Sequence, residues 1–435
     1  MMVNHNGENR HEPETELIVA VDIGTTKVCT LIGRGNSSAK RLEILGYGVA
    51  PSTGLQKGVI SDKDATINAI RESLRNAEKT AGCTVKSVFV GVTGSHVNFE
   101  NRRDRLNHKQ HDVITTEVMN RPIETPNPTN GSERQVIHSI KMSYVLDGQT
   151  GIRNPIGMHS QNLEVDTHIV TGDSEFLKNL EKTVLDSGVH LSGLVLEPLA
   201  SGLSVLTPEE KEKGTLIIDI GGGTSDLVFF KKGQVCYTGV IPVGGYQFTN
   251  DIAVTFDTSY REAEAAKLKF GGADRPNLRS NHCEISLPVK NSDLEVKINS
   301  QEISKLTKDR AHELVRLLKL KLQGNKEQLN PSLVVLTGGT SNLPGFVQLV
   351  KRTLSVPVRQ GIPTTIENIP ETLKNPAYST SVGILIWALT EQASIHRDTK
   401  LVRNSKNRAG SNGLHSSFIT KTLSGMTSAI FASRK

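Results

Sequence analysis

Two stretches of the chain share one pattern of apolar and polar positions. Leu17–Leu31 reads LIVAVDIGTTKVCTL, and Leu216–Leu227 reads LIIDIGGGTSDL and runs on apolar to Phe230. Each is a β-branched apolar run, an Asp-Ile-Gly break, a short polar turn and a second apolar run. Such runs bounded by glycine predict buried strands joined by a hairpin turn. Around the first, Arg41–Val49 alternates as a strand, and Ser61 or Asp62 offers an N-cap for a helix with apolar Ile67, Ile70, Leu74 and Ala77. Val85–Val92 returns as a strand. A helix over about 173–187 and a strand through Val195 lead to a helix opening at Glu197-Pro198, whose Ala200, Ser201 and Gly202 allow close backbone approach.

The second half follows the same plan with additions. Gly244-Gly245 predicts a turn into a helix starting near Thr249, and Tyr260–Phe270 predicts another helix. Cys283–Ile298 reads as a hairpin, and Ser300 caps a helix bearing Ile303, Leu306, Leu314, Leu317 and Leu318. Leu333–Thr337 is a buried strand that ends in Gly338-Gly339 before a helix, and Tyr378–Leu389 is an apolar helix with small Ser379, Ser381 and Gly383. Strands, helix and strand repeated twice predict an α/β fold of two duplicated lobes around a cleft. Residues 96–172 break the repeat. They are polar, with Pro122, Pro126 and Pro128, turn chemistry at Asp147-Gly148, and His108 and His111 in a solvated loop, which predicts an inserted small domain.

At 435 residues the chain is long enough for two core-bearing lobes. The four cysteines have no metal-ligand spacing, and three of them, in apolar or mixed strand-like runs, read as small core residues of a reducing compartment. The first 16 residues are polar, with no signal-peptide core, and the longest apolar run, Val382–Leu389, is far short of the roughly 18 residues of a membrane span. A cytoplasmic protein is expected. The net charge is +6, but from Arg397 onward eight basic residues face Asp398 alone, a balance of +7 that leaves the body at −1. A neutral body has no electrostatic drive toward nucleic acid.

The candidate chemistry centres on the two turns. Glycines 221 to 223 let backbone amides approach an anion, and Asp219 or Asp22 at a strand end could hold a hydrated cation beside it. The plainer alternative is a hairpin turn that uses glycine for positive φ. Glu197 suits a helix dipole, and Glu264 with Lys267, one turn apart, reads first as an exposed ion pair. Gly338 and Gly339 would admit a flat base or serve a tight turn. The chain contains no Gly-Lys pair, which excludes phosphate-loop NTPase chemistry.

Asp22-Ile23-Gly24-Thr25-Thr26, Glu197-Pro198, Asp219–Thr224 and Thr337-Gly338-Gly339, in this order, resemble the actin, heat-shock chaperone and sugar kinase superfamily. Within it, Tyr144–Met158 (YVLDGQTGIRNPIGM), preceded by Gly91–His96, resembles the FtsA family of bacterial cell division proteins. The resemblance covers about residues 16–392. It implies actin-like, ribonuclease-H-like lobes, with one lobe over 17–95, 173–205 and 376–396 and the insertion over 96–172. The other lobe would take 206–246 and 331–375, with a smaller subdomain at 247–330. It also implies ATP and Mg2+, with Asp22 and Asp219 positioning metal and water and Glu197 orienting an attacking water. Gly24, Thr25, Thr26, Lys27, Gly221, Gly222, Gly223 and Thr224 would hold phosphates. Gly244, Gly245, Glu264, Lys267, Gly338, Gly339 and Thr340 would meet the nucleotide as well, with at most weak ATPase activity. Thr340 stands where a third glycine is usual and would narrow the base pocket, and Ser139–Ser143 lacks a proline-glutamine pair often found there. Implied partners are FtsZ, contacted through about 247–330, further copies of the chain, membrane lipid and other divisome proteins, at the cytoplasmic face of the membrane at the division site.

The tail fits that assignment on its own terms. Residues 397–412 form a basic linker with a reach on the order of 20 Å. Over 413–435, Ile419, Leu423, Met426 and Ile430 fall within roughly 60° of arc on a helix, with Phe418 and Phe431 beside them and Lys421 and Lys435 opposite. An amphipathic helix behind a flexible linker predicts an interfacial membrane anchor. Its few apolar side chains, worth about 1.5–3 kcal/mol each on full burial, make one anchor weak and an array durable. The rival readings are a pilus-assembly adaptor of the PilM type and a small-molecule kinase, which would have no use for such a tail.

Overall fold

The computed structural model describes residues 16–36, 41–106, 113–119, 121, 133–274, 283–325 and 329–391. The predicted tail helix, the leader, His108, His111 and the proline-rich turn lie outside these residues. Both Asp-Ile-Gly stretches are antiparallel hairpins. Glu16–Ile23 pairs with Lys27–Asn36, setting Asp22 opposite Cys29, and Thr215–Ile220 pairs with Ser225–Lys231, setting Asp219 opposite Asp226. Each hairpin is extended identically. A third antiparallel strand, Arg41–Pro51 or Gln234–Ile241, adds on one side, and two parallel strands add on the other: Ser87–Val92 with His190–Leu196, or Leu333–Thr337 with Val358–Gln360. Two five-stranded sheets thus have the same ribonuclease-H-like order.

The parallel strands need crossovers, and amphipathic helices supply them. Lys63–Ala81 is one. Asp62 caps it by accepting the Ala65 amide at 3.0 Å, Gly82 ends it in the left-handed region, and Ile67, Ile70, Leu74 and Ala77 are buried. In the second lobe the crossover carries Gly245–Thr255, Tyr260–Phe270, the hairpin Glu284–Pro288 with Glu295–Asn299, and Ser300–Gln323. Two helix starts differ from expectation. The helix expected near Thr249 begins at Gly245, because Gly244 is extended and the Gln247 side chain closes the first turn onto its amide. Asn299 rather than Ser300 caps the next, in a capping box with Glu302, while Ser300 is already helical and buried.

The insertion between Ser87–Val92 and Ser174–Asp186 is a four-stranded sheet ordered Asn98–Leu106, Leu163–Asp173, Arg134–Leu146, Gln149–Ile152. Asp147 and Gly148, both at positive φ, turn its last hairpin. It has its own core around Leu106, Ile114, Tyr144 and Leu163, and it touches the second lobe where Asn101 donates to the Cys236 carbonyl at 3.0 Å.

The lobes meet over two helices rich in small residues, Glu197–Val205 and residues 379–391. A Cβ on Gly383 would stand 1.8 Å from the Ala200 carbonyl oxygen, so the helices cross in backbone contact. Ser204 donates to the Ser379 carbonyl at 2.7 Å, and Thr337 on the second lobe donates to the Ser379 hydroxyl at 2.6 Å. One apolar cluster runs through the seam, uniting Leu31, Leu199, Ile217, Phe230 and Val382.

Candidate functional site

The strand-end aspartates and their turns face each other across a cleft cavity of about 460 Å³. The turns are built alike: the Gly24 amide donates to the Lys27 carbonyl and the Gly221 amide to the Thr224 carbonyl, both at 2.9 Å. None of Gly24, Gly221, Gly222 or Gly223 has positive φ. A hairpin's torsional demand therefore does not explain the triple glycine. Contact between the turns does: a Cβ on Gly222 would fall 2.7 Å from Thr26 Cγ2, and one on Gly223 would fall 2.5 Å from Thr25 Oγ1. Among the described residues, the amides of Thr25, Thr26, Gly222 and Gly223 donate no hydrogen bond. Free donors on two turns that touch across the lobes are chemically suited to an anion.

Carboxylates crowd the floor of the cleft. Asp22 accepts from Ser381 at 2.7 Å, and Asp219 accepts from Ser201 and from Thr380, the latter at 2.9 Å. Asp226 accepts from Thr93 of the other lobe at 2.5 Å and from Thr224 at 2.9 Å. Burial raises Asp22, lifts Asp219 to about 6 and Asp226 to about 7, and drives Glu197 well above the usual carboxylate range. Glu197 heads its helix without capping it, since Leu196 is the N-cap, and its carboxylate lines the cavity. Lys27 reaches over the Tyr378 ring, 3.7 Å from its centroid, and donates to the Ala377 carbonyl. Burial lowers its pKa against the pull of Asp22 and Asp219.

Carboxylates raised in this way lack positive charge, and a divalent cation would supply it. No three His, Cys, Asp or Glu side chains among the described residues converge as a direct metal shell. The donor set therefore fits a hard cation that keeps most of its waters, with Asp22 and Asp219 in its outer sphere.

The second lobe supplies the other end of the cleft. Glu264 and Lys267 are not a solvated pair. They bridge at 2.7 Å, Lys267 is only 13% exposed, and Thr249 ties them together by donating to Glu264 and lying 3.0 Å from the Lys267 ammonium. Gly338 and Gly339 differ. Gly338 is buried at φ +82°, where a Cβ would press Asp219 Oδ1 at 2.4 Å, whereas Gly339 is exposed, with its nearest neighbour 3.7 Å away. Gly244 lies under the Gly221 and Gly222 carbonyls, where a Cβ would come within 2.7 Å of both. Thr340 turns its hydroxyl to the Gly221 carbonyl at 3.0 Å.

The cleft thus gathers residues separated by more than three hundred positions. The sequence marks none of Asp226, Thr93, Thr380, Ser381 and Tyr378 as a site residue, although Ser381 stands out as a small residue of its helix and Thr93 falls within the Gly91–His96 stretch. For Asp226 a signal existed, since pairing the hairpin from its glycines sets it opposite Asp219. For Ser381, which reaches Asp22 from the far end of the chain, none did.

The family model for cell division protein FtsA matches residues 216–383. The chain is 35% identical to cell division protein FtsA of Pseudomonas aeruginosa over 379 residues, covering 87% of this chain and 90% of the relative. The chain belongs to the FtsA family. FtsA of Neisseria meningitidis serogroup B is 33% identical, covering 86% of this chain and 90% of its own length, and FtsA of Escherichia coli K12 is 30% identical at the same coverage. The model for the SHS2 domain inserted in FtsA matches residues 94–171, the stretch that folds as the four-stranded insertion. Among solved structures, the PilM-PilN type IV pilus biogenesis complex is similar with a TM-score of 0.60 at 17% identity, covering 86% of this chain and 98% of that one. MreB5 of Spiroplasma citri bound to ADP is similar with a TM-score of 0.50 at 15% identity, covering 90% and 100%. These likenesses are of fold: FtsA, PilM and MreB share the actin-like architecture.

Proposed function

We propose that this FtsA-family chain binds ATP with Mg2+ in the cleft, polymerises, and tethers the FtsZ ring to the cytoplasmic face of the membrane at the division site, helping to recruit other divisome proteins. What supports the nucleotide is the pair of turns with free amides facing each other over buried carboxylates. The amides of Thr25, Thr26, Gly222 and Gly223 would hold phosphate oxygens, with Lys27 as their charge partner. Asp22 and Asp219 would hold Mg2+ through water, and the metal would neutralise phosphate charge. Glu197, free of side-chain hydrogen bonds among the described residues, would orient a water. Gly244, Gly245, Glu264, Lys267 and Gly339 would face the nucleoside.

Asp219→Ala should weaken Mg-ATP binding about tenfold or more in a fluorescence titration, since a carboxylate partner of a hydrated cation is lost. Affinity equal to that of the unsubstituted chain would remove the phosphate and metal assignment.

The membrane tether rests on the amphipathic pattern of Phe418, Ile419, Leu423, Met426, Ile430 and Phe431. Among the described residues, no helix is long and apolar enough to cross a membrane. The full chain with ATP should co-sediment with anionic liposomes, and a chain truncated after Asn412 should stay in the supernatant. Equal pelleting of the two would rule out the tail as anchor. The PilM alternative has only the shared fold behind it, and the kinase reading has no polar substrate pocket singled out by the residues above.

A further inference from the structure

Thr340 joins the two ends of the nucleotide cleft through one carbonyl. The Gly221 oxygen accepts twice, from the Gly245 amide at 2.9 Å and from the Thr340 hydroxyl at 3.0 Å. The next carbonyl, Gly222, accepts the Tyr246 amide at 2.6 Å. The first free amides of the helix Gly245–Thr255 are thus engaged by the glycine turn. Among the described residues, the loop after Leu333–Thr337 supplies the one side-chain anchor that reaches that turn's carbonyls from another element: Thr340 itself is fixed where the Leu343 amide donates to its carbonyl at 3.1 Å and Ser341 donates to Gly338 at 2.7 Å. The fit is close, because a Cβ on Gly245 would stand 2.6 Å from Thr340 Oγ1.

A peptide group is planar and trans, so its C=O and N–H point in opposite directions. Holding the Gly221 carbonyl toward Thr340 and Gly245 therefore turns the Gly222 N–H the other way, and that amide has no partner among the described residues. We propose that Thr340 is a positioning residue for the phosphates: its hydroxyl fixes the Gly221–Gly222 peptide so that the Gly222 amide is aimed before the ligand arrives. This rests on the nucleotide reading above. It differs from the expectation that a side chain at 340 chiefly narrows the base pocket, because the hydroxyl is engaged with the turn. The two roles predict opposite signs. If Thr340 only crowds the base, shortening it improves binding of every adenosine compound alike. If it aims the amide, losing the hydroxyl weakens only ligands that carry phosphates, by the two- to tenfold typical of one hydrogen bond.

The experiment uses the full chain with Mg2+ and a fluorescent ATP analogue, competed by ATP, ADP and adenosine. Thr340→Val keeps the shape and removes the hydroxyl, whereas Thr340→Ser keeps the hydroxyl and removes a methyl. Expected are ATP and ADP affinities lowered about two- to tenfold in Thr340→Val, with faster analogue release, unchanged adenosine competition, and wild-type values in Thr340→Ser. Melting temperatures of the ligand-free variants separate aiming from general loosening, and Thr340→Val should melt within a few degrees of the unsubstituted chain. Unchanged ATP affinity in Thr340→Val, or adenosine and ATP shifting together, overturns the proposal. Failure of the unsubstituted chain to bind the analogue at all would instead overturn the nucleotide reading on which it stands.

Discussion

Gly383→Ala is expected to cost about 3 kcal/mol or more of stability, a large share of the roughly 5–15 kcal/mol that holds a domain folded. The added methyl would stand 1.8 Å from the Ala200 oxygen and 2.2 Å from its carbonyl carbon. Both are backbone atoms inside a helix, so no side chain can swing away, and the helices themselves must part. Parting them loosens the Ser204 bond to the Ser379 carbonyl, the Ser201 to Thr380 contact at 3.0 Å, and the packing of Leu199 and Leu203 against Val382 and Leu385. Urea denaturation measures the loss. Gly221→Ala is the control. Its Cβ would meet nothing closer than 3.6 Å and φ is not positive there, so stability should change by less than about 1 kcal/mol. Equal stability of Gly383→Ala and the unsubstituted chain would mean the helices do not cross in backbone contact.

Ligand-free protein should lose stability as pH rises from about 4 to about 7, and Asp226→Asn should remove part of that loss, the rest belonging to Glu197, Asp22 and Asp219, which burial also raises. Burial holds the Asp226 carboxyl at about 7, against an ordinary value of 3.8, with Asp219 adding to the rise. The folded state binds this proton more tightly than the unfolded chain does. The contribution is therefore complete below the unfolded value, is lost as pH rises toward the folded value, and stays lost above it. A shift of this size is worth on the order of 4 kcal/mol. Asparagine reproduces the neutral carboxyl, since its carbonyl can accept from Thr93 while its amide donates to Thr224. The variant should accordingly melt higher than the unsubstituted chain at pH 8 and alike at pH 4.5. Identical melting profiles across that range would show that Asp226 is not the buried proton site. Asp219, lifted to about 6, adds a smaller loss in the lower part of the same window.

Much of the architecture was legible because it is local. The hairpins at Asp22 and Asp219 follow from β-branched runs broken by glycine, and Lys63–Ala81 follows from its apolar spacing and its Asp62 cap. These depend on backbone sterics and on pairing between neighbours in the chain. Helix starts slipped where local chemistry allows two solutions, as at Asn299 and Ser300, both able to cap.

The duplicated lobes, the presence of an inserted small domain and the identity of the two turns were readable from the sequence alone, because period, turn chemistry and motif order are written in consecutive residues. Why Gly222 and Gly223 are glycine emerges only from the packing of the lobes, since the atoms that exclude a Cβ belong to Thr25 and Thr26, nearly two hundred residues away. The tertiary structure also decided that Ser381 serves Asp22, that Thr93 reaches Asp226 across the cleft, and that Thr340 turns to Gly221. Those contacts depend on how two separately readable lobes dock, and docking is set by buried surfaces that no short stretch of sequence contains.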